Sequence, residues 1–124
     1  MAISVYNVFS LNRAIENLIK QDINLSFKCG FQFYQLKKEL DEIERYTVDR
    51  LNKVINTEHL NNNTLTNDEE SIYLAVMNSM VELDTDKIDL EELKTNSELK
   101  AGLKDIMFIY EILSEKNDTT LIEN

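Results

Sequence analysis

The chain has no proline, no tryptophan, two glycines, one histidine and one cysteine in 124 residues. The absence of proline removes the main breaker of helices, and the shortage of glycine removes most sites for turns at positive φ, so a helix-rich fold is favoured over a strand-and-turn one. Cys29 has no partner for an intrachain disulfide, which suits a reducing compartment and a fold held without covalent staples. Gly30 and Gly102 stand alone, so neither builds the glycine-rich loop that cradles phosphates. No stretch approaches the ~18 consecutive apolar residues of a membrane span. The N-terminus lacks a basic region ahead of an apolar one, so no secretory leader is expected.

Positive charge is also scarce. Lys and Arg number 13 against 23 Asp and Glu, for a net charge of −10. Nucleic acid and anionic membrane are excluded as general partners, because the phosphate attraction that drives such binding becomes repulsion. Cys29 and His59 are the only thiol and imidazole, and they fall at opposite ends of an expected helix, about 45 Å apart at 1.5 Å per residue. That separation excludes a nucleophilic pair. Cys29 is expected in the core and His59 on the surface.

The organising stretch is Phe31 to Ile55. Phe33, Leu36, Leu40, Ile43, Thr47, Leu51 and Val54 step by threes and fours along one helix face, and Asp41 with Arg45 and Asp49 with Lys53 make acid-first i,i+4 pairs. Upstream, Leu25, Phe27, Cys29, Phe31 and Phe33 alternate strictly with polar or small residues, a strand pattern. Phe27, Phe31 and Tyr34 also fit helical spacing, and the helix is favoured from about Leu25. The aromatic cluster Phe27, Phe31, Phe33 and Tyr34 is expected in the core; facing outward, it would form a hot-spot patch for a protein partner.

Around this element, Ile3, Val5 and Val8 suggest a short strand. Ser10 is read as the cap of a first helix carrying Leu11, Ala14, Ile15, Leu18 and Ile19, with Asn12 on the polar face. Gln21 to Asn24 connects to the long helix. Thr57 to Leu65, with Asn61, Asn62 and Asn63, reads as a loop. Thr66 and Glu69 form a capping box opening a helix with Ile72, Tyr73, Val76, Met77 and Met80 on its apolar side, ending near Val81. Val81, Leu83, Ile88 and Leu90 offer a strand to pair with the N-terminus. Thr95 and Glu98 open a closing helix along Leu99, Leu103, Ile106, Tyr110 and Leu113, with Met107, Ile109 and Ile112 widening its apolar surface. The expected fold is mainly α: a four-helix arrangement with one long helix and a small two-stranded sheet pairing the N-terminus with residues near 81–90. Residues 1–114 form one domain and 115–124 a flexible tail.

No catalytic, cofactor or metal site is expected. Counted as a calcium loop from Asp84, position five is Ile88, position six is Asp89 where glycine is needed, and position twelve is Thr95 instead of glutamate. The carboxylates are those of solvated helix faces. Candidate partner contacts are Leu103, Met107 and Tyr110 on the closing helix and the acidic group Asp84, Asp86 and Asp89.

The order ISVYN, LNRAIENLIK, QDIN, a long helix ending in ERYTVDRL, and the acidic VELDTDKIDLEEL resembles a group of small proteins of tailed phages. The resemblance implies viral origin and work through protein contacts, in the host cytoplasm or on the virion. The expected function is a noncatalytic assembly or virion-associated component that binds a viral or host protein or a copy of itself, without direct nucleic-acid or membrane binding. The alternative is an acidic inhibitor that presents carboxylates to the basic groove of a host defence or nucleic-acid-processing enzyme.

Overall fold

The computed structural model describes residues 2–20, 25–84, 107–109 and 111–112. In chain order these form β1 (Ala2–Ser4), α1 (Val5–Ile19), α2 (Phe27–Val54), α3 (Thr57–Asn61), α4 (Asn67–Met77) and β2 (Met80–Glu82), followed by a helical stretch over 107–109 and 111–112. The fold is mainly helical with one long helix and a two-stranded antiparallel sheet, as the sequence leads one to expect. Gln21 to Asn24, Ile88, Leu90, the Thr95–Glu98 box, the closing-helix positions Leu99, Leu103, Ile106, Tyr110 and Leu113, and the tail 115–124 lie outside the described residues.

The sheet sets the N-terminal strand beside the segment that follows α4. Ala2 faces Glu82, Ile3 faces Val81 and Ser4 faces Met80, and this register sends Ile3 into the core, where Leu83 joins it. The strand is shorter than its alternation suggests. Ser4, not Ser10, caps α1: its side chain accepts the Asn7 N–H at 3.1 Å, while Val5 N–H donates to the Ser79 carbonyl at 2.9 Å. Val5 and Val8 satisfy helical spacing as well as strand alternation, and burial beside Leu11 and Ile15 decides for the helix.

In α2, Phe33, Leu36, Leu40, Thr47 and Leu51 are buried along the expected stripe, and Ile43 is half-buried. Thr47 enters without an unmet hydroxyl because Oγ1 donates to the Ile43 carbonyl at 2.8 Å. Val54 departs from the stripe at 46% exposed, and Ile55, just past the helix, takes the buried place. Asp41 accepts from Lys37 at 2.6 Å, one turn back, instead of pairing forward with Arg45. The core is an α1–α2 interface of Leu11, Ile15, Leu18, Cys29, Phe33, Leu36 and Leu40, closed by Ile3, Leu83 and Ile109. Cys29 is buried there as expected.

Residues 57–65 are more ordered than a loop. Asn56 Oδ1 accepts the Glu58 and His59 N–H groups and starts α3. The asparagine triplet ends it: Asn63 takes φ 56°, Thr64 N–H reaches the His59 carbonyl and Asn63 N–H the Leu60 carbonyl, a Schellman arrangement in which asparagine tolerates the left-handed residue. The Thr66–Glu69 capping box is formed. α4 stops at Met77, earlier than its apolar spacing suggests, because Asn78 caps it and Met80 and Val81 are drawn into β2.

Glu69 ties two helix starts together. Its carboxylate accepts from Thr66 N–H and His59 Nδ1 through Oε1 and from Asn56 N–H through Oε2, at 2.8–3.0 Å. The backbone donors of Thr66 and Asn56 outweigh desolvation and, with His59, hold its pKa at about 2, below the ordinary 4.5. A carboxylate with a depressed folded-state pKa stabilises the fold above its unfolded pKa and loses that contribution as pH falls through the folded value. The urea midpoint of the wild type is therefore expected to exceed that of Glu69→Gln at pH 7. The gap should close between pH 4.5 and 2; a gap unchanged across that window contradicts the assignment.

Candidate functional site

Over its first ten residues α2 is apolar on two faces, separated on one side by a polar strip of Lys28, Gln32 and Gln35, and only one of the apolar faces meets α1. At about 100° per residue, Phe27, Phe31 and Tyr34 project within about 60° of one another, opposite the stripe of Cys29, Phe33, Leu36 and Leu40. Packing therefore splits the aromatic cluster that the sequence places in the core. Phe33 is 4% exposed, but Phe27 is 88%, Phe31 47% and Tyr34 60% exposed. The three outward rings form a ladder, with centroids 6.0 Å apart for Phe27–Phe31 and 6.1 Å for Phe31–Tyr34, both stacked.

Beside the ladder runs a groove of about 280 Å³ between α1 and α2, walled by Ile15, Leu18, Ile19, Leu25, Phe33 and Tyr34, with Gly30 in its lining and Lys37 at its edge. Ile19, 60% exposed, continues the apolar surface onto α1. A second groove of about 240 Å³ lies where α1, α2 and α4 meet, lined by Tyr6, Phe9, Arg13, Val48, Tyr73 and Met77 among others. It lacks stacked rings.

The other candidate positions are less concentrated. Met107 is 63% exposed. Ile109, on the same helical stretch, is fully buried and Ile112 packs against the core, so this stretch is attached through those residues. Asp84 is exposed, and its backbone N–H donates to Glu39 Oε2 at 2.6 Å. Leu103, Tyr110, Asp86 and Asp89 lie outside the described residues. His59, expected on the surface, is half-buried against Glu69. Among the described residues no three His, Cys, Asp or Glu side chains are grouped as a metal would require, and no helix is long and apolar enough to cross a membrane.

Comparison with protein-family models, with characterised proteins and with solved structures gives no match. The ladder and its groove are thus read from physical chemistry alone. The ladder and the α2 wall of the groove lie within Leu25 to Lys37, where the sequence signal was the coexistence of strand-like alternation and helical spacing: a helix built on that pattern is apolar on two faces.

Proposed function

We propose that this chain is a noncatalytic protein-binding component, of the assembly or virion-associated kind that its resemblance to small tailed-phage proteins implies. The exposed ladder of Phe27, Phe31 and Tyr34 carries this reading. Large aromatic side chains supply much of the free energy at protein interfaces, and three stacked in register are prepaid in conformational entropy. The rival role, an acidic inhibitor of a host enzyme, draws on the net charge of −10 and on Asp84, Asp86 and Asp89.

Replacing the ladder by serines (Phe27→Ser, Phe31→Ser, Tyr34→Ser) separates the two. The triple variant is expected to keep its helical circular dichroism and to weaken copurification with virions by more than about 100-fold, since a single interface aromatic worth about 2 kcal/mol already accounts for roughly 30-fold. Virion pull-down provides the readout, and light scattering checks that the variant is not aggregated. Unchanged association in the folded triple variant, or binding to a host enzyme that is lost with Asp84→Lys and moderate salt but not with the ladder, refutes the assembly reading.

A further inference from the structure

Three local rules are broken together at the start of α2. First, a helix N-terminus favours acidic side chains, yet the first turn has none and contains Lys28, in a chain with 23 acidic residues to draw on. Second, Gly30 sits inside a helix, where it is costly relative to alanine, although a Cβ there would meet nothing within 4 Å. Third, the aromatic ladder faces water. Residues that contradict local preference without a folding reason mark functional surfaces. The charge around them is also inverted: residues 25–38 contain Lys28, Lys37 and Lys38 and no carboxylate, while the chain carries −10. Lys37 is already paired with Asp41, Lys28 and Lys38 are exposed, and Lys20 caps the end of α1 nearby in sequence. Asp41 and Glu42 first enter the surface at the far end of the ladder, where they share a depression with Tyr34, Lys37, Lys38 and Arg45, so the carboxylate-free stretch runs from Leu25 to Lys38.

We infer that this end of the molecule receives an acidic amphipathic helix of a partner protein. The partner's apolar side chains enter the α1–α2 groove over Gly30 and against the ladder, and its carboxylates face Lys38, at the ladder's own angle on α2, and Lys28, which flanks the ladder on the side away from the groove. The absent Cβ at Gly30 leaves space for a bulky side chain to approach the α2 backbone, and the carboxylates complete the acidic complement that the helix N-terminus lacks. Two copies joined ladder to ladder would set these lysines against one another, which disfavours a symmetric self-pairing at this face. This inference rests on the ladder as a protein-binding surface and adds the chemistry of what binds.

The test uses two fluorescein-labelled helical peptides that share one leucine and phenylalanine face and differ only in carrying glutamate or lysine on the other, with labelled oligo(dT) as a third probe. Anisotropy is expected to show the glutamate peptide binding at least about tenfold tighter than the lysine peptide, and tighter than oligo(dT). Lys28→Glu with Lys38→Glu should reverse the peptide preference. Gly30→Leu should fold at least as stably, being a better helix former in open space, yet bind the glutamate peptide about tenfold more weakly because the groove is filled. Equal binding of the two peptides, stronger binding of oligo(dT), or indifference to Gly30→Leu overturns the inference. If no peptide binds while the serine triple variant still loses association, this inference falls and the ladder reading stands; if neither depends on the ladder, both fall.

Discussion

Asn12→Asp is expected to destabilise the protein by about 3–5 kcal/mol at pH 7, the range for an uncompensated charge inside a fold. Asn12 is 3% exposed on α1, and its Nδ2 donates to Asp41 Oδ1 at 2.9 Å across the α1–α2 interface. Partial burial pushes the Asp41 pKa up, but the hydrogen bonds from Lys37 and Asn12 and the charge of Lys37 prevail and hold it below its ordinary 3.8. Aspartate has nearly the volume of asparagine, so the cost is electrostatic: a donor becomes a second carboxylate, dry and against the first. Such a group has a folded-state pKa raised above its unfolded value. The penalty is absent below the unfolded pKa, grows as pH rises between the two values and is complete above the folded one. Urea unfolding across pH should show the variant approaching wild type in acid. Asn12→Leu is the control. It removes a buried Oδ1 that has no hydrogen-bond partner and leaves Asp41 with Lys37 and solvent, so its effect should stay within about 1 kcal/mol. A charge-independent loss in both variants would show that packing, not electrostatics, governs this site.

Leu36→Ala is expected to cost about 2–5 kcal/mol, out of the roughly 5–15 kcal/mol that holds a domain of this kind together. Leu36 is fully buried between α1 and α2, so truncation removes transfer free energy and leaves a cavity whose walls are fixed by Leu11, Ile15 and Leu40. Phe31→Ala, five residues earlier and a larger deletion, should cost less, about 1–2 kcal/mol, because the ring is 47% exposed and loses mainly its stacking on Phe27 and Tyr34 without leaving a closed cavity. Thermal and urea unfolding of the pair measure the same contrast from two directions. Comparable losses in the two variants would place Phe31 in the core and remove the ladder as a surface.

Asn12 and Phe31 also show where sequence reasoning stopped. Asn12 reads as one of the polar residues on α1's outer face, and the partner that draws it inward, Asp41, lies 29 residues away. The aromatics have the reverse history. Their spacing marks them as apolar and helical but does not say which side of α2 would be covered, and α1, with 15 residues against 28, covers one. Ser4 and Ser10 are equally good caps by residue type. The choice fell to Ser4 because a helix begun there buries Val5 and Val8 while Val5 N–H finds the Ser79 carbonyl.

The sequence by itself determined what depends on neighbours along the chain. The stripe from Phe33 to Leu51, the Thr66–Glu69 capping box, the burial of Cys29 and the apolar residues that let the N-terminus pair with the segment at Val81 are set by periodicity and by hydrogen bonds spanning a few residues. Tertiary structure alone decided which of two apolar faces of α2 stays wet, that an asparagine is buried, and that Glu69 joins the starts of α3 and α4. The physical reason is common to these cases. Local periodicity fixes the angle at which each side chain leaves its helix, whereas burial and pairing depend on which distant segment arrives at that angle and how far along it reaches.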